Sequence, residues 1–417
     1  MRIAYICADP GIPVFGQKGG SIHVQEVMRA LGRQGARVEL FAVRFGGLPA
    51  ADLADVVQHP LPPVPKGDLA QREAAALAIN ADLWADLWAD LWADLWAELA
   101  LSGPFDLIYE RYSLWSYSAM EFAQTHNIPA LLEVNAPLIE EQAQHRGLID
   151  REGAQRAASR AFQAASSLIA VSEEVKQYLT GWVSGDRVQV IANGVNHHRF
   201  IKPRGVEPGG VGPGAVSGGR LSTPETPADT FTVGFVGSLK PWHGLSHLVN
   251  AFARLQQRVP EARLLIVGDG PGRGALGAEL AERQLQSVTR LTGAVPPDQI
   301  PDLLARMDVA VAPYPASPNF YFSPLKVVEY MAAGLPVVVS DLGQLRHLVV
   351  NNVTGLLRPP GDEVALALAL EDLWRSPSRR HSLGRAAQQH ILAHHTWDAV
   401  AQQIIALAHR QPSACNG

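Results

Sequence analysis

A chain of 417 residues is too long for one ordinary hydrophobic core and fits two domains joined by a linker. Its 47% hydrophobic and 18% charged residues are enough to fill two cores, which excludes a disordered protein. A formal net charge of −5 excludes a surface built as a whole to bind nucleic acid or anionic membrane, and the two cysteines, Cys7 and Cys415, stand too far apart in sequence for a disulfide framework or a CxxC metal site.

The opening MRIAYICADP is a short apolar run cut by Asp9 and Pro10, so it reads as a first strand and not as a signal peptide. Strands are expected at Arg2–Ala8, Arg37–Val43, Asp106–Arg111, Ala130–Val134, Leu168–Val171 and Val188–Ala192, with amphipathic helices at Ile22–Leu31 and Leu114–Thr125 among them. The strands are apolar throughout, as parallel strands covered by helices on both faces must be. Between these lies Ala81–Trp96, four copies of ADLW. A four-residue step turns a helix by about 400°, so its tryptophans form one drifting stripe, read either as an interaction face for a membrane surface or partner helix or, as favoured here, as a surface helix packing Trp and Leu on the sheet with Asp in water. Residues 203–229 are dominated by Gly, Pro, Ser and Thr without apolar periodicity and read as a linker or surface insertion.

Beyond it the alternation resumes. Strands are expected at Phe231–Val236, Arg263–Val267, Thr289–Leu291, Asp308–Ala312 and Pro336–Val339. Helices are expected at Leu245–Val259, Ala275–Gln284, Asp298–Ala305, Pro324–Ala333 and Val364–Trp374. The result is two doubly wound α/β domains in tandem, whose ligands belong at the carboxyl ends of the strands. The division expected is 1–200, a linker at 201–230, 231–390, and a C-terminal helix and tail at 391–417 that packs back on the first domain. No stretch approaches the ~18 apolar residues of a membrane span, and a cytoplasmic protein is expected.

Three loops carry chemistry. The first ends Lys18-Gly19-Gly20-Ser21 ahead of a helix. Either the paired glycines let backbone approach an anion at the helix N-terminus, or this is a tight turn with Ser21 as N-cap. The second is Gly237-Ser238-Leu239-Lys240-Pro241-Trp242-His243-Gly244. It gathers a hydroxyl (Ser238) and two cationic side chains (Lys240, His243) where a diphosphate could sit, or else a solvated Lys and a Trp packed at the domain edge. The third is Tyr321 to Pro336. Ser323 has the character of an N-cap, Pro324 of a first helical residue and Gly334 of a helix stop. Lys326 and Glu329 stand at i, i+3. They suit a phosphate and ribose hydroxyls respectively, or form an ordinary surface pair worth about a few tenths of a kcal/mol. The adjacent pairs His197-His198 and His394-His395 read as exposed histidines, and no metal constellation is expected.

Eight segments then fall in one familiar order: Gly19-Gly20, EVNAPL (Glu133–Leu138), VSEEVK (Val171–Lys176), NGVN (Asn193–Asn196), GSLKPWHG (Gly237–Gly244), VGDGP (Val267–Pro271), SPLKVVEYMAAGLPVV (Ser323–Val338) and TGLLRPPGD (Thr354–Asp362). Across nearly the whole chain the sequence resembles the retaining glycosyltransferases of family 4 (group 1), with the GT-B fold of two Rossmann-like domains facing across a cleft. The resemblance implies that Gly19 and Gly20 lie near the donor diphosphate and transferred sugar. It implies that Ser238, His243, Ser323 and Leu325 belong to the donor site, and that Glu329 is the ribose ligand, matching the second glutamate of the family's E-x7-E motif. Asn135, Lys240 and Lys326 become the catalytic candidates. Four positions depart from the family pattern. Tyr321 stands where the first E-x7-E glutamate falls, Ser238 and His243 stand for an Arg and a Lys, Asn135 lies near a frequent His, and His347 replaces a frequent Glu.

The resemblance therefore implies a retaining glycosyltransferase moving a sugar from a nucleoside diphosphate sugar to an acceptor hydroxyl, in glycan, glycolipid or polysaccharide biosynthesis. The nucleotide sugar is the co-substrate, with no metal or other cofactor. The acceptor is a glycan, a lipid-linked sugar or a small molecule, no nucleic acid is bound, and a lipid-linked acceptor would bring peripheral contact with the inner membrane face. A nucleotide-sugar-binding scaffold and a GT-B epimerase are the alternatives. A dehydrogenase is weaker, because no GxGxxG follows the first strand. Arg111 and Arg146 are read either as acceptor contacts or as members of surface salt bridges.

Overall fold

The computed structural model describes residues 1–410 except 65, 79, 81–94, 201–229, 318, 319, 322 and 324. The Gly/Pro-rich linker and most of the ADLW repeat thus lie outside the described residues. Leu95, near the repeat's end, is buried at the start of a helix. The chain divides into two compact units, Met1–Gly194 with Asn319–Ser323 and His395–Gly417, and Val195–Pro318 with Pro324–His394.

The first unit is built on seven strands: β1 (Arg2–Cys7), β2 (Arg37–Ala42), β3 (Val57–Pro60), β4 (Leu107–Arg111), β5 (Ala130–Val134), β6 (Ser167–Ala170) and β7 (Val188–Val190). Their order is β3-β2-β1-β4-β5-β6-β7, every ladder parallel. β1 runs through the middle of the sheet, and its residues Ile3 to Ile6 are wholly buried, as a strand covered on both faces requires. Helices α1 (Gly19–Arg33), α2 (Leu69–Ala78), α3 (Leu95–Ser102), α4 (Ser118–Thr125), α5 (Leu138–His145), α6 (Arg151–Ala164) and α7 (Glu173–Leu179) complete it. β3 escapes periodicity because it is a short edge strand, VQHP, with mostly exposed side chains and a terminal proline that an edge tolerates.

Two helix starts differ from expectation. α1 begins at Gly19, not Ile22; Lys18 occupies the N-cap position without a side-chain bond, and Ser21 lies inside the first turn with its hydroxyl buried, so it is no cap. α4 begins at Ser118, not Leu114. The buried Asn80 side chain accepts the N–H groups of Tyr117 (2.8 Å) and Ser118 (3.1 Å) and donates to Trp115 O (2.6 Å), which fixes the preceding residues as a loop.

The second unit holds β8 (Phe231–Val236), β9 (Ala262–Val267), β10 (Thr289–Leu291), β11 (Val309–Ala312), β12 (Val337–Ser340) and β13 (Leu356–Arg358) in the order β10-β9-β8-β11-β12-β13, again all parallel. Its helices are α8 (Leu245–Gln256), α9 (Arg273–Glu282), α10 (Ile300–Leu304), α11 (Leu325–Ala332), α12 (Leu345–Leu348), α13 (Glu363–Arg375) and α14 (Pro377–His394). The stripe Leu245, Leu248, Val249, Phe252 and Leu255 buries α8 as its spacing requires. A last helix, α15 (Trp397–Arg410), belongs to the first unit and packs on α1, where Arg33 pairs with Asp398 at 2.7 Å. No helix among the described residues is long and apolar enough to cross a membrane.

Candidate functional site

In the second unit the loop after β8 is assembled from behind. Tyr330 on α11 donates its hydroxyl to Val236 O (3.0 Å) and accepts the Val236 N–H (2.7 Å), tying the helix to the end of β8. Lys326 lies one turn earlier on the same helix and therefore comes up beneath Gly237. Gly237 holds φ = +151°, which favours glycine, and a Cβ there would stand 2.8 Å from Lys326 Nζ, so the ammonium lies directly against the turn. The loop Gly268–Gly272 braces the same turn: Leu239 N–H donates to Asp269 O (3.0 Å) and Gly272 N–H to Leu239 O (2.8 Å).

The Lys326 ammonium is closed off from solvent and has no hydrogen-bond partner among the described residues. Phe235 and Tyr314 place their rings 4.4 and 5.4 Å from it, and these faces are its main electrostatic support. Burial pulls its pKa down to about 7. The surface Lys–Glu pair read as the bland alternative is absent, since Glu329 pairs instead with Arg199 (3.3 Å), which follows the NGVN segment.

The other loop residues surround this cation. His243 sits 2.6 Å from Ser238 O through Nδ1, so the neutral ring donates there. Burial, then the positive charge of Lys326, depress its pKa to about 4, with Lys240 adding to the effect. At neutral pH the loop thus holds a neutral imidazole beside the lysines. Lys240 reaches over the half-exposed Trp242 ring at 4.7 Å. Gly244, at φ = +70°, ends the loop against Pro313 O and opens α8. Leu325 begins α11, whereas His347 on α12 is exposed. The capping geometry expected of Ser323 lies outside the described residues, because it rests on Pro324. The His197 and His198 rings, read as simply exposed, lie 4.0 Å apart with His197 half-buried.

In the first unit Gly19 and Gly20 form the first turn of α1, with open space over Gly19 and Ile12 packed against Gly20. Asn135, just past β5, has a buried amide nitrogen without a partner among the described residues. Tyr321 turns its hydroxyl to Glu141 Oε2 (3.1 Å) and its carbonyl accepts from Ser172 Oγ (3.2 Å), so the residue at the first E-x7-E position is held by groups of the first unit. Sequence reasoning missed the network behind Gly20. His23 Nε2 lies 2.7 Å from Glu133 Oε1 and 3.0 Å from Asn193 Oδ1, and Glu133 Oε2 accepts from Tyr109 (2.8 Å). Burial would raise the Glu133 pKa, yet it lies below the usual range because His23, Arg111 and Tyr109 favour its charge. The signal available was the placement of Tyr109, Glu133 and His23 on elements expected to meet at one sheet face.

Residues 18–199 match the family model described as Glycosyltransferase Family 4, and residues 230–376 match Glycosyl transferases group 1. The chain is 26% identical to glycogen synthase of Mycobacterium tuberculosis over 306 residues, 71% of this chain and 66% of that protein, just short of two thirds of its length. It is 28% identical to D-inositol 3-phosphate glycosyltransferase of Jonesia denitrificans over 98% of this chain and 96% of that one. Among solved structures, Anabaena HepE in complex with UDP and glucose shares the fold at a TM-score of 0.66 and 19% identity, covering 98% of this chain and 99% of that one.

Proposed function

The chain belongs to the GT-B glycosyltransferases, a family 4 domain followed by a group 1 domain, and on that premise we propose that it moves a sugar from a nucleoside diphosphate sugar to an acceptor hydroxyl with retention of configuration. The observation that carries the reading is Lys326, a buried ammonium with no anion beside it, held under a glycine turn at the carboxyl end of β8. A side chain kept desolvated in this way gains most when an oxyanion arrives.

The leaving diphosphate sits on the Gly237–Gly244 turn, with Lys326 and Lys240 meeting its charge and backbone N–H groups at the start of α11 adding their dipoles. Leu325 packs beside the nucleotide, and Ser238, His243 and Ser323 supply polar contacts. Glu329 accepts from the ribose hydroxyls and Arg199 holds its carboxylate in place. As the bond from the anomeric carbon to the diphosphate breaks, the acceptor oxygen bonds to the same face of that carbon. Its proton passes to the departing phosphate oxygen, so no protein nucleophile is needed. Asn135, whose amide nitrogen is unpartnered, serves the hydroxyls of the transferred sugar, with Gly19 and Gly20 leaving room for it. No metal ion enters this chemistry.

Uridine nucleotides come first because HepE is seen with UDP, and a phosphorylated polyol is the first acceptor to try because of the inositol phosphate relative. We take the reaction to be cytoplasmic and the product to belong to glycan, glycolipid or polysaccharide synthesis. Calorimetry with UDP, GDP and ADP tests the donor. Binding of one of them, weakened tenfold or more in Lys326→Met, is expected; equal binding by the variant would remove Lys326 from the site. Retention is read from the anomeric proton coupling of the product.

A further inference from the structure

We propose that Arg111 heads an anion subsite in the first unit, which receives a phosphate or carboxylate group carried by the acceptor. The inference rests on the transferase reading above and adds the chemical class of the acceptor. Arg111 is the last residue of β4, beside β1 and β5 in the middle of the sheet, at the edge where parallel sheets gather ligands. Strand alternation puts it on the same face as Tyr109, the face that α1 covers. Its Nη2 lies 3.9 Å from where a Cβ on Gly20 would stand, so the guanidinium rests against the first turn of α1.

That guanidinium feels the Glu133 carboxylate at a distance but makes no direct pair with it. Its Nε is shut off from solvent without a partner, and no hydrogen bond or ion pair joins the Arg111 side chain to a described residue. The carboxylate it influences, Glu133, is already committed: Oε1 to His23 at 2.7 Å, Oε2 to Tyr109 at 2.8 Å. The Asp9 carboxylate accepts from Gly11 N–H (2.7 Å). The Cys7 thiol, its pKa pushed up to about 12 chiefly by burial, stays neutral and offers no charge. The first turn of α1 carries no acidic residue, and Lys18 at its N-cap is another cation. An arginine has five N–H donors and no acceptor, so what completes this site must bring oxygens, and a negative charge matches best. Arg146, the other arginine considered as an acceptor contact, is different. It is exposed and pairs with Glu141 at 3.3 Å, the ordinary surface arrangement.

The second unit has its own lysines for the donor diphosphate, which leaves Arg111 for a different anion. The test uses the full chain saturated with UDP, so that the donor site is occupied. Inorganic phosphate is then titrated and followed by calorimetry, with acetate in a parallel arm to report the carboxylate. Wild-type protein should bind at least one of these two oxyanions. Arg111→Gln should weaken that binding tenfold or more, Arg111→Lys should weaken it less, and both should keep wild-type affinity for UDP. The proposal is overturned if UDP-saturated protein binds neither oxyanion, if Arg111→Gln binds as wild type does, or if it loses UDP affinity to the same degree. The last result would put Arg111 on the donor. If Arg111→Gln fails to fold, Arg111→Lys carries the test alone, because loss of the fork geometry should still weaken the oxyanion and leave UDP unchanged. Failure of UDP itself to bind would sink the donor reading instead, so the two failures are distinguishable.

Discussion

The Tyr330 hydroxyl holds Val236 by both of its backbone polar groups, donating to the carbonyl at 3.0 Å and accepting the N–H at 2.7 Å. A central strand that ends under a glycine turn would otherwise bury an unpaired N–H and C=O there. Tyr330→Phe keeps the ring and strands both groups, at about 1–3 kcal/mol each. A Tm several degrees lower is expected. Because Lys326 rides on the same helix turn, UDP affinity should fall as well, by calorimetry. A variant that loses stability but binds UDP as wild type does would detach Lys326 placement from this anchor.

On the proposed placement of the diphosphate, donor binding is also a protonation event at Lys326. With its free pKa near 7, the side chain is partly neutral at pH 8, and an arriving diphosphate favours the charged form and raises that pKa. Binding at pH 8 should take up a fraction of a proton, measured by calorimetry in buffers of different ionisation enthalpy. UDP affinity should fall as pH rises above 7. The same depressed pKa has the opposite sign for stability. Between about pH 7 and the ordinary lysine value near 10.4 the unfolded chain binds more protons, so the ligand-free protein gains up to about 1.4 kcal/mol per pH unit as pH rises. Lys326→Met should flatten both slopes.

Glu329 and Arg199 form the ion pair that the proposal places against the ribose, 3.3 Å apart and each about one quarter exposed. Glu329→Gln keeps the shape and loses the charge that strengthens hydrogen bonds to hydroxyls, which contribute about 1.5–3 kcal/mol each to a charged group against about 0.5–1.5 to a neutral one. The donor KM should rise tenfold or more. Arg199→Ala should raise it less, because it frees the carboxylate without removing it. Steady-state kinetics with a 2′,3′-dideoxy donor separates the roles: Glu329→Gln should lose its effect on that donor, and an unchanged penalty would take Glu329 off the ribose.

The strands and the Gly237–Gly244 turn were legible because their signals are local. Uninterrupted apolar runs mark strands covered on both faces, and Gly237 and Gly244 mark backbone that other residues cannot adopt. The partners that place Lys326 and Arg111 were not legible. Nothing near Lys326 in sequence reveals that it avoids Glu329 and lies under two aromatic rings, since Phe235 and Tyr314 come from other strands and loops. Likewise the unpaired state of Arg111 depends on Tyr109 and His23 having taken Glu133 first. β3 went unseen because VQHP carries no apolar run and ends in proline.

The start of α4 is the sharpest case of local pattern overruled at a distance, and it yields a prediction. Apolar spacing runs back to Leu114, yet Asn80 intercepts the backbone at Tyr117 and Ser118, acting as a cap supplied from 37 and 38 residues away. Its amide also donates to Leu77 O (2.9 Å) and Trp115 O (2.6 Å), so one buried side chain satisfies four backbone groups. Asn80→Ala removes this partner from the Tyr117 and Ser118 N–H groups and Trp115 O, while Leu77 O keeps the Asn80 backbone N–H (3.1 Å), and losing the cap alone removes about 0.5–2 kcal/mol. With the unpaired groups added, a Tm lower by about 4–8 °C is expected for a unit of this size. Asn80→Asp retains an oxygen for the two N–H groups but loses both donations, so calorimetric unfolding should place it between wild type and alanine. An alanine variant as stable as wild type would mean that α4 begins by its own propensity, and amide exchange at Tyr117 and Ser118 reports which is true.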